Sequence, residues 1–149
     1  MNARTLTLVF CKATLARPHL WALSALIGNP IHIDIGVGDE AFAISPHRCI
    51  QWGLSEWIQG RRATGTLYDA VTIPDVDIER AREAALTFAV GPMTYLGVAK
   101  RVLGKPDICD IDCVAATMLV LKAAGVDPPQ RFVEARSLYL WIKSKYPLS

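Results

Sequence analysis

The sequence predicts an α+β fold, with strands mostly early in the chain and helices mostly late. Two observations carry this. In the first half the apolar residues fall in short runs, alternating or β-branched, such as "LTLVFCK" and "IHIDIGVG". In the second half they recur at helical spacing, in "IERAREAALTFAV" and "EARSLYLWIKSKY".

Leu6 to Lys12 suits a first strand. "HLWALSALIG" has helical character and stops at Gly28, with Pro30 just beyond. Ile31 to Val37 alternates as a strand does. Gly38, Asp39 and Glu40 then turn the chain into "AFAIS", so residues 31 to 45 read as a β-hairpin. "CIQWGL" continues the sheet, "SEWIQGRRATG" is a short helix with a polar loop, and "TLYDAVTI" is a further strand ended by Pro74. Asp77 caps the next amphipathic helix, which Gly91-Pro92 breaks, and "MTYLGVAKRVLG" is a shorter one. "DICDIDCVAATMLVLKAAGVDPP" begins a buried helix at Cys113, capped by Asp110 or Asp112 and stopped by Gly125. "EARSLYLWIKSKY" closes the chain as an amphipathic helix. Residues 1–149 form a single domain, with no repeat, linker or low-complexity tract.

A chain of 149 residues buries a real core without staples. Hydrophobic residues make up 52% and the mean hydropathy is +0.26, which excludes disorder. A net charge of +2 is too small to argue for nucleic acid. Arg61 and Arg62 read as an isolated basic pair on a solvated surface, as do Lys100 and Arg101. The four cysteines, 11, 49, 109 and 113, match no zinc spacing, so no metal and no cofactor is expected. The apolar core of the N-terminus, Leu6 to Phe10, is too short for a signal peptide. No segment reaches the roughly 18 apolar residues of a membrane span, and a cytoplasmic location is expected.

Three features bear on chemistry. His32 starts an apolar strand, Ser45 ends the next one at the same edge, and Cys113 opens the buried helix. A cysteine hydrolase needs a thiol, an imidazole to handle its proton, and a polar group to orient that imidazole. At a helix start Cys113 feels the positive end of the dipole, while Asp110 and Asp112 oppose thiolate formation. Each residue also has a plainer reading. Taken alone, Cys113 is more often a buried structural thiol and His32 a histidine satisfied at a sheet end. Asp34 shares a strand face with His32 and could interact with it, although a surface aspartate is the commoner case. His19 and His47 read as loop residues.

From about Leu20 to about Trp141 the chain resembles the circularly permuted, papain-like NlpC-type cysteine hydrolases. "LWALSALIGNPIHIDIGVGDEAFAIS" is similar to the family's helix, its "S-H-V-x-I" strand and the hairpin after it. "CIQWGLSEWI" resembles the segment that follows. "AREAALTFAVGPMTYLGVAKRVLG" is similar to a helix leading into "G-x-x-Y-D-x-x-G". "DIDCVAATMLVLKAAGVDP" resembles the nucleophile helix, "C-S-E-L-V-x-x-x-L-x-x-A-G".

The resemblance implies a papain-like antiparallel sheet packed against helices. It gives Cys113 the nucleophile position and His32 the general-base position, and leaves Cys109 without a role. Ser45 takes the orienter position, where the family commonly has glutamate or another strongly polar residue. Tyr95 matches a tyrosine near the pocket, and Tyr95 and Asp34 are the candidates for contact with substrate or oxyanion. Val114 and Ala115 stand where serine and glutamate usually follow the cysteine.

The implied function is a thiol hydrolase or acyltransferase (peptidase- or amidase-like) acting on an amide, thioester or ester through a covalent acyl-enzyme. Its substrate would be a peptide, lipid or acyl compound. The alternatives are a catalytically impaired papain-like module that binds a peptide, lipid or protein partner, and an interaction protein of a phage or mobile element. Ser45 and the aspartates around Cys113 favour the impaired module.

Overall fold

The computed structural model describes residues 4–12, 28–30, 32–44, 49–87, 113–130, 132 and 134–146. The expected helices at "HLWALSALIG" and "MTYLGVAKRVLG" lie outside the described residues, as do Asp110 and Asp112. The rest is a five-stranded antiparallel sheet with four helices among the described residues. The strands are β1 (Leu6–Cys11), β2 (His32–Val37), β3 (Glu40–Ile44), β4 (Cys49–Gly53) and β5 (Leu67–Ile73). The helices are α1 (Leu54–Ala63), α2 (Ile78–Thr87), α3 (Cys113–Ala123) and α4 (Ala135–Lys145). The sheet order is β4-β3-β2-β1-β5.

β1 is central, and all six of its residues are buried. That suits its near-continuous apolar run, because a strand covered on both faces has no solvent side to alternate with. It pairs antiparallel with β2, Leu6 opposite Val37 and Cys11 opposite His32. Side chains alternate across the sheet. One face therefore carries Leu6, Leu8 and Phe10 beside Ile33, Ile35 and Val37, which join residues of α2, α3 and α4 in one core. The other face carries Thr7, Val9 and Cys11 beside Gly36, Asp34 and His32.

The expected hairpin is present. Val37 pairs with Glu40 across a two-residue turn, with Gly38 at φ 60°, a conformation a glycine adopts without a Cβ clash. The turn also seats the next helix, because the Leu54 amide donates to the Asp39 carbonyl at 2.7 Å. α1 then crosses the face opposite the core, and Gly36 makes that approach possible. A Cβ on Gly36 would lie 2.6 Å from Leu54 Cδ1 and 3.2 Å from Thr7 Cβ.

On the core side α2 begins as expected, with the Arg80 amide donating to Asp77 Oδ1 at 3.2 Å. α3 is the apolar helix its sequence promises, with Cys113, Val114, Ala116, Thr117, Val120 and Leu121 all buried. It ends just before Gly125, where the Val126 amide reaches back to the Leu121 carbonyl at 2.9 Å. α3 packs on β2 and against α2. α4 joins the core through Leu138 and Ile142, and Tyr139 meets Phe10 edge-on at 4.9 Å. Among the described residues no helix is long and apolar enough to cross a membrane.

Candidate functional site

The site lies at one end of the two central strands. β1 ends there with Cys11, β2 begins there with His32, and α3 brings in Cys113 from the core side. The Cys113 sulfur lies near enough to the His32 imidazole to raise its pKa. Two residues 81 positions apart in sequence are thus brought together by the packing of one helix on one strand. Cys113 is 4% exposed, and the His32 side chain 19% exposed.

His32 has a second partner. Its Nε2 is 2.7 Å from Asp34 Oδ1, two residues along β2 on the same face. Asp34 is wholly buried, so it is no surface aspartate. A carboxylate in the interior is costly unless its oxygens accept hydrogen bonds from charged or polar donors. Here its Oδ2 accepts from Trp57 Nε1 at 2.7 Å, from Arg61 Nε at 2.9 Å and from the Cys11 thiol at 3.5 Å. Arg61 Nη2 is also 2.9 Å from Oδ2, which makes the guanidinium contact two-pronged. Arg61 therefore departs from its expected place in a solvated basic pair: it is three-quarters buried against a carboxylate.

The electrostatics follow from this packing. Burial works to raise the Asp34 pKa, but the charge and hydrogen bond of His32, with help from Arg61 and Trp57, bring it down to about 2. Burial works to lower the His32 pKa. Asp34, followed by the Cys113 sulfur, more than reverses this and raises it to about 10. The imidazole is thereby held as an imidazolium between a carboxylate and a sulfur. Cys11 goes the other way: burial, then the Asp34 charge, push its thiol well above the ordinary range. Cys11 is a protonated donor, to Asp34 Oδ2 and at 3.6 Å to the Val9 carbonyl. Of Cys11 and Cys113, both free, it is Cys11 whose thiol donates to the Asp34 carboxylate and Cys113 that lies beside the imidazole.

Trp57 was not singled out by the sequence, and Arg61 only as half of a solvated basic pair. The signal was their spacing: four residues apart on α1, they share a helix face, and Arg61 Cζ lies 5.2 Å from the centre of the Trp57 ring. On the solvent side of that face Trp52, Glu56, Trp57, Gly60, Arg61 and Thr64 line an open pocket of about 320 Å³. Ser45, Tyr95, Cys109, His19 and His47 lie outside the described residues. Among the described residues no three His, Cys, Asp or Glu side chains cluster as a metal site would require. The chain matches no family model, no curated protein and no solved structure.

Proposed function

We propose that the protein is a thiol hydrolase or acyltransferase, acting on an amide, thioester or ester bond, with Cys113 as nucleophile and His32 as its base. The observation that carries this is the imidazole of His32 paired at 2.7 Å with the buried carboxylate of Asp34, with the Cys113 sulfur near enough to raise its pKa further. An antiparallel sheet with the histidine strand ahead of the cysteine helix is also the arrangement of permuted, papain-like NlpC-type hydrolases, and we adopt that reading of the fold. Asp34 answers the weakness of Ser45 as an orienter, since a carboxylate supports an imidazolium by charge and a serine does not.

With Nε2 engaged by Asp34, Nδ1 is the ring nitrogen left to serve the thiol. The Cys113 sulfur attacks the carbonyl carbon, and the developing oxyanion takes the Cys113 backbone N–H at the start of α3. The intermediate collapses to a thioester as His32 protonates the leaving group. His32 then takes a proton from water, or from another acceptor, which attacks the thioester and frees Cys113.

The test is a covalent adduct. An electrophilic acyl analogue should label folded protein once, at Cys113, as read by mass spectrometry of the intact chain and its peptides. Cys113→Ala should abolish the adduct, and His32→Ala should slow it by about 100-fold or more, the scale of a lost general base. Labelling of Cys113 only after denaturation would leave a buried structural thiol and overturn the proposal.

A further inference from the structure

Asp34 is held from outside its own strand. α1 lies on the face away from the core, and contributes no substrate-facing group to the Cys113–His32 pair described above. Yet it supplies two hydrogen bonds to Asp34 Oδ2, from Trp57 Nε1 and Arg61 Nε, with Arg61 Nη2 in ion-pair contact at 2.9 Å. The other oxygen, Oδ1, is the one on His32 Nε2. We propose that Arg61 and Trp57 are positioning residues of the Cys113–His32 pair, clamping one oxygen of Asp34 so that the other stays fixed on the imidazole. The proposal rests on reading Cys113 and His32 as a reactive pair, and adds a control point on a different helix and the opposite face of the sheet.

Two physical arguments support it. A carboxylate is least free to rotate about its Cβ–Cγ bond when both oxygens are engaged, and here the Arg61 guanidinium and the Trp57 indole N–H hold Oδ2 while His32 holds Oδ1. Charge balance supplies the second. Among the described residues, the ionisable groups facing Asp34 and His32 are Cys11 from β1, Arg61 from α1 and Cys113 from α3. Cys11 is a neutral thiol. Asp34 carries one negative charge, and the imidazolium and Arg61 carry two positive ones. Arg61 therefore adds a second positive charge beside the buried carboxylate. Without Arg61, Asp34 is a buried carboxylate with one fewer cation and takes up a proton at higher pH.

The experiment is the pH profile of Cys113 alkylation by iodoacetamide, read by mass spectrometry of the Cys113 peptide. Trp57→Phe keeps a ring under Arg61 and removes the N–H, and Arg61→Gln removes the charge. Each should move the acid limb of the profile towards neutral pH by about one unit, the size of one hydrogen bond to a charged group. Arg61→Lys should restore most of the original profile, and Arg62→Gln, exposed on the same turn, should leave the profile in place. A profile unchanged in Trp57→Phe and Arg61→Gln, with only the melting temperature lowered, would make the clamp purely structural and overturn the inference. Should Arg61→Gln fail to fold, Trp57→Phe decides alone. Exchange of the His32 Nε2 proton, followed by NMR, separates this claim from the reaction itself. Faster exchange in Trp57→Phe supports the clamp even if Cys113 proves unreactive, and unchanged exchange refutes it.

Discussion

Asp34 is the residue on which the site turns, and it makes a sharp prediction. Asp34→Asn keeps the shape but cannot support an imidazolium by charge, and it leaves Arg61 facing a neutral amide. If the protein is the proposed hydrolase, turnover should fall far more than in Ser45→Ala, since a neutral hydrogen bond contributes on the order of 1 kcal/mol. Stability should fall as well, by on the order of 3 kcal/mol, since one partner of a buried ion pair has been removed. Kinetics and urea unfolding on the two variants check both halves. The parts of this site were unequally legible in the sequence. Cys113 and His32 stood out, because a thiol at a helix start and an imidazole at a strand start are unusual placements. Asp34 was visible as a neighbour of His32 but not as a buried charge, since burial of a polar residue depends on partners that only folding supplies. Arg61 and Trp57 were hidden for the same reason. Their partner is 27 and 23 residues away on another element.

The elements themselves were easier to read than the contacts between them. β1, β2, β3 and β5 follow from alternation or β-branched runs, and α2, α3 and α4 from helical spacing, caps and glycine stops. Topology was less accessible, because nothing local states that β5 returns to the far side of β1. Nor does "SEWIQGRRATG" say which face of the sheet it will cover. Gly36 is the missing cue: in a strand of otherwise bulky residues it marks a close approach. Gly36→Ala should therefore press on Leu54, displace α1 and cost about 1 to 3 kcal/mol by overpacking. Leu54→Ala in the same chain should recover part of that loss, so a double-mutant cycle by denaturant unfolding should show a favourable coupling. In α3, Leu121→Ala removes a wholly buried side chain and should cost about 2 to 5 kcal/mol, a loss with no bearing on the Cys113 chemistry.

For the whole molecule, the charged cluster ties stability to pH. His32 is raised from 6.5 to about 10 on folding, so its contribution is complete below about pH 6.5 and is lost as the pH rises towards 10. Asp34 is lowered from 3.8 to about 2, so its contribution is complete above about pH 4 and is lost as the pH falls towards 2. Both express one ion pair, so the gains do not add. Unfolding free energy should be greatest between about pH 4 and 6.5 and decline on either side, and Asp34→Asn should flatten the profile. The same carboxylate has a consequence for how the molecule comes apart. No residue of α1 is fully buried, so by apolar contact alone this helix is the most weakly attached of those described. What moors it is Leu54 over Gly36, and Trp57 with Arg61 on Asp34. A proton on Asp34 takes away the charge that both of the latter seek. Acid approaching pH 2 should then cast off α1 as a unit while the sheet and the core helices stay closed. Hydrogen exchange would record it as amides 54–63 losing protection at a pH where those of β1 and β2 keep theirs.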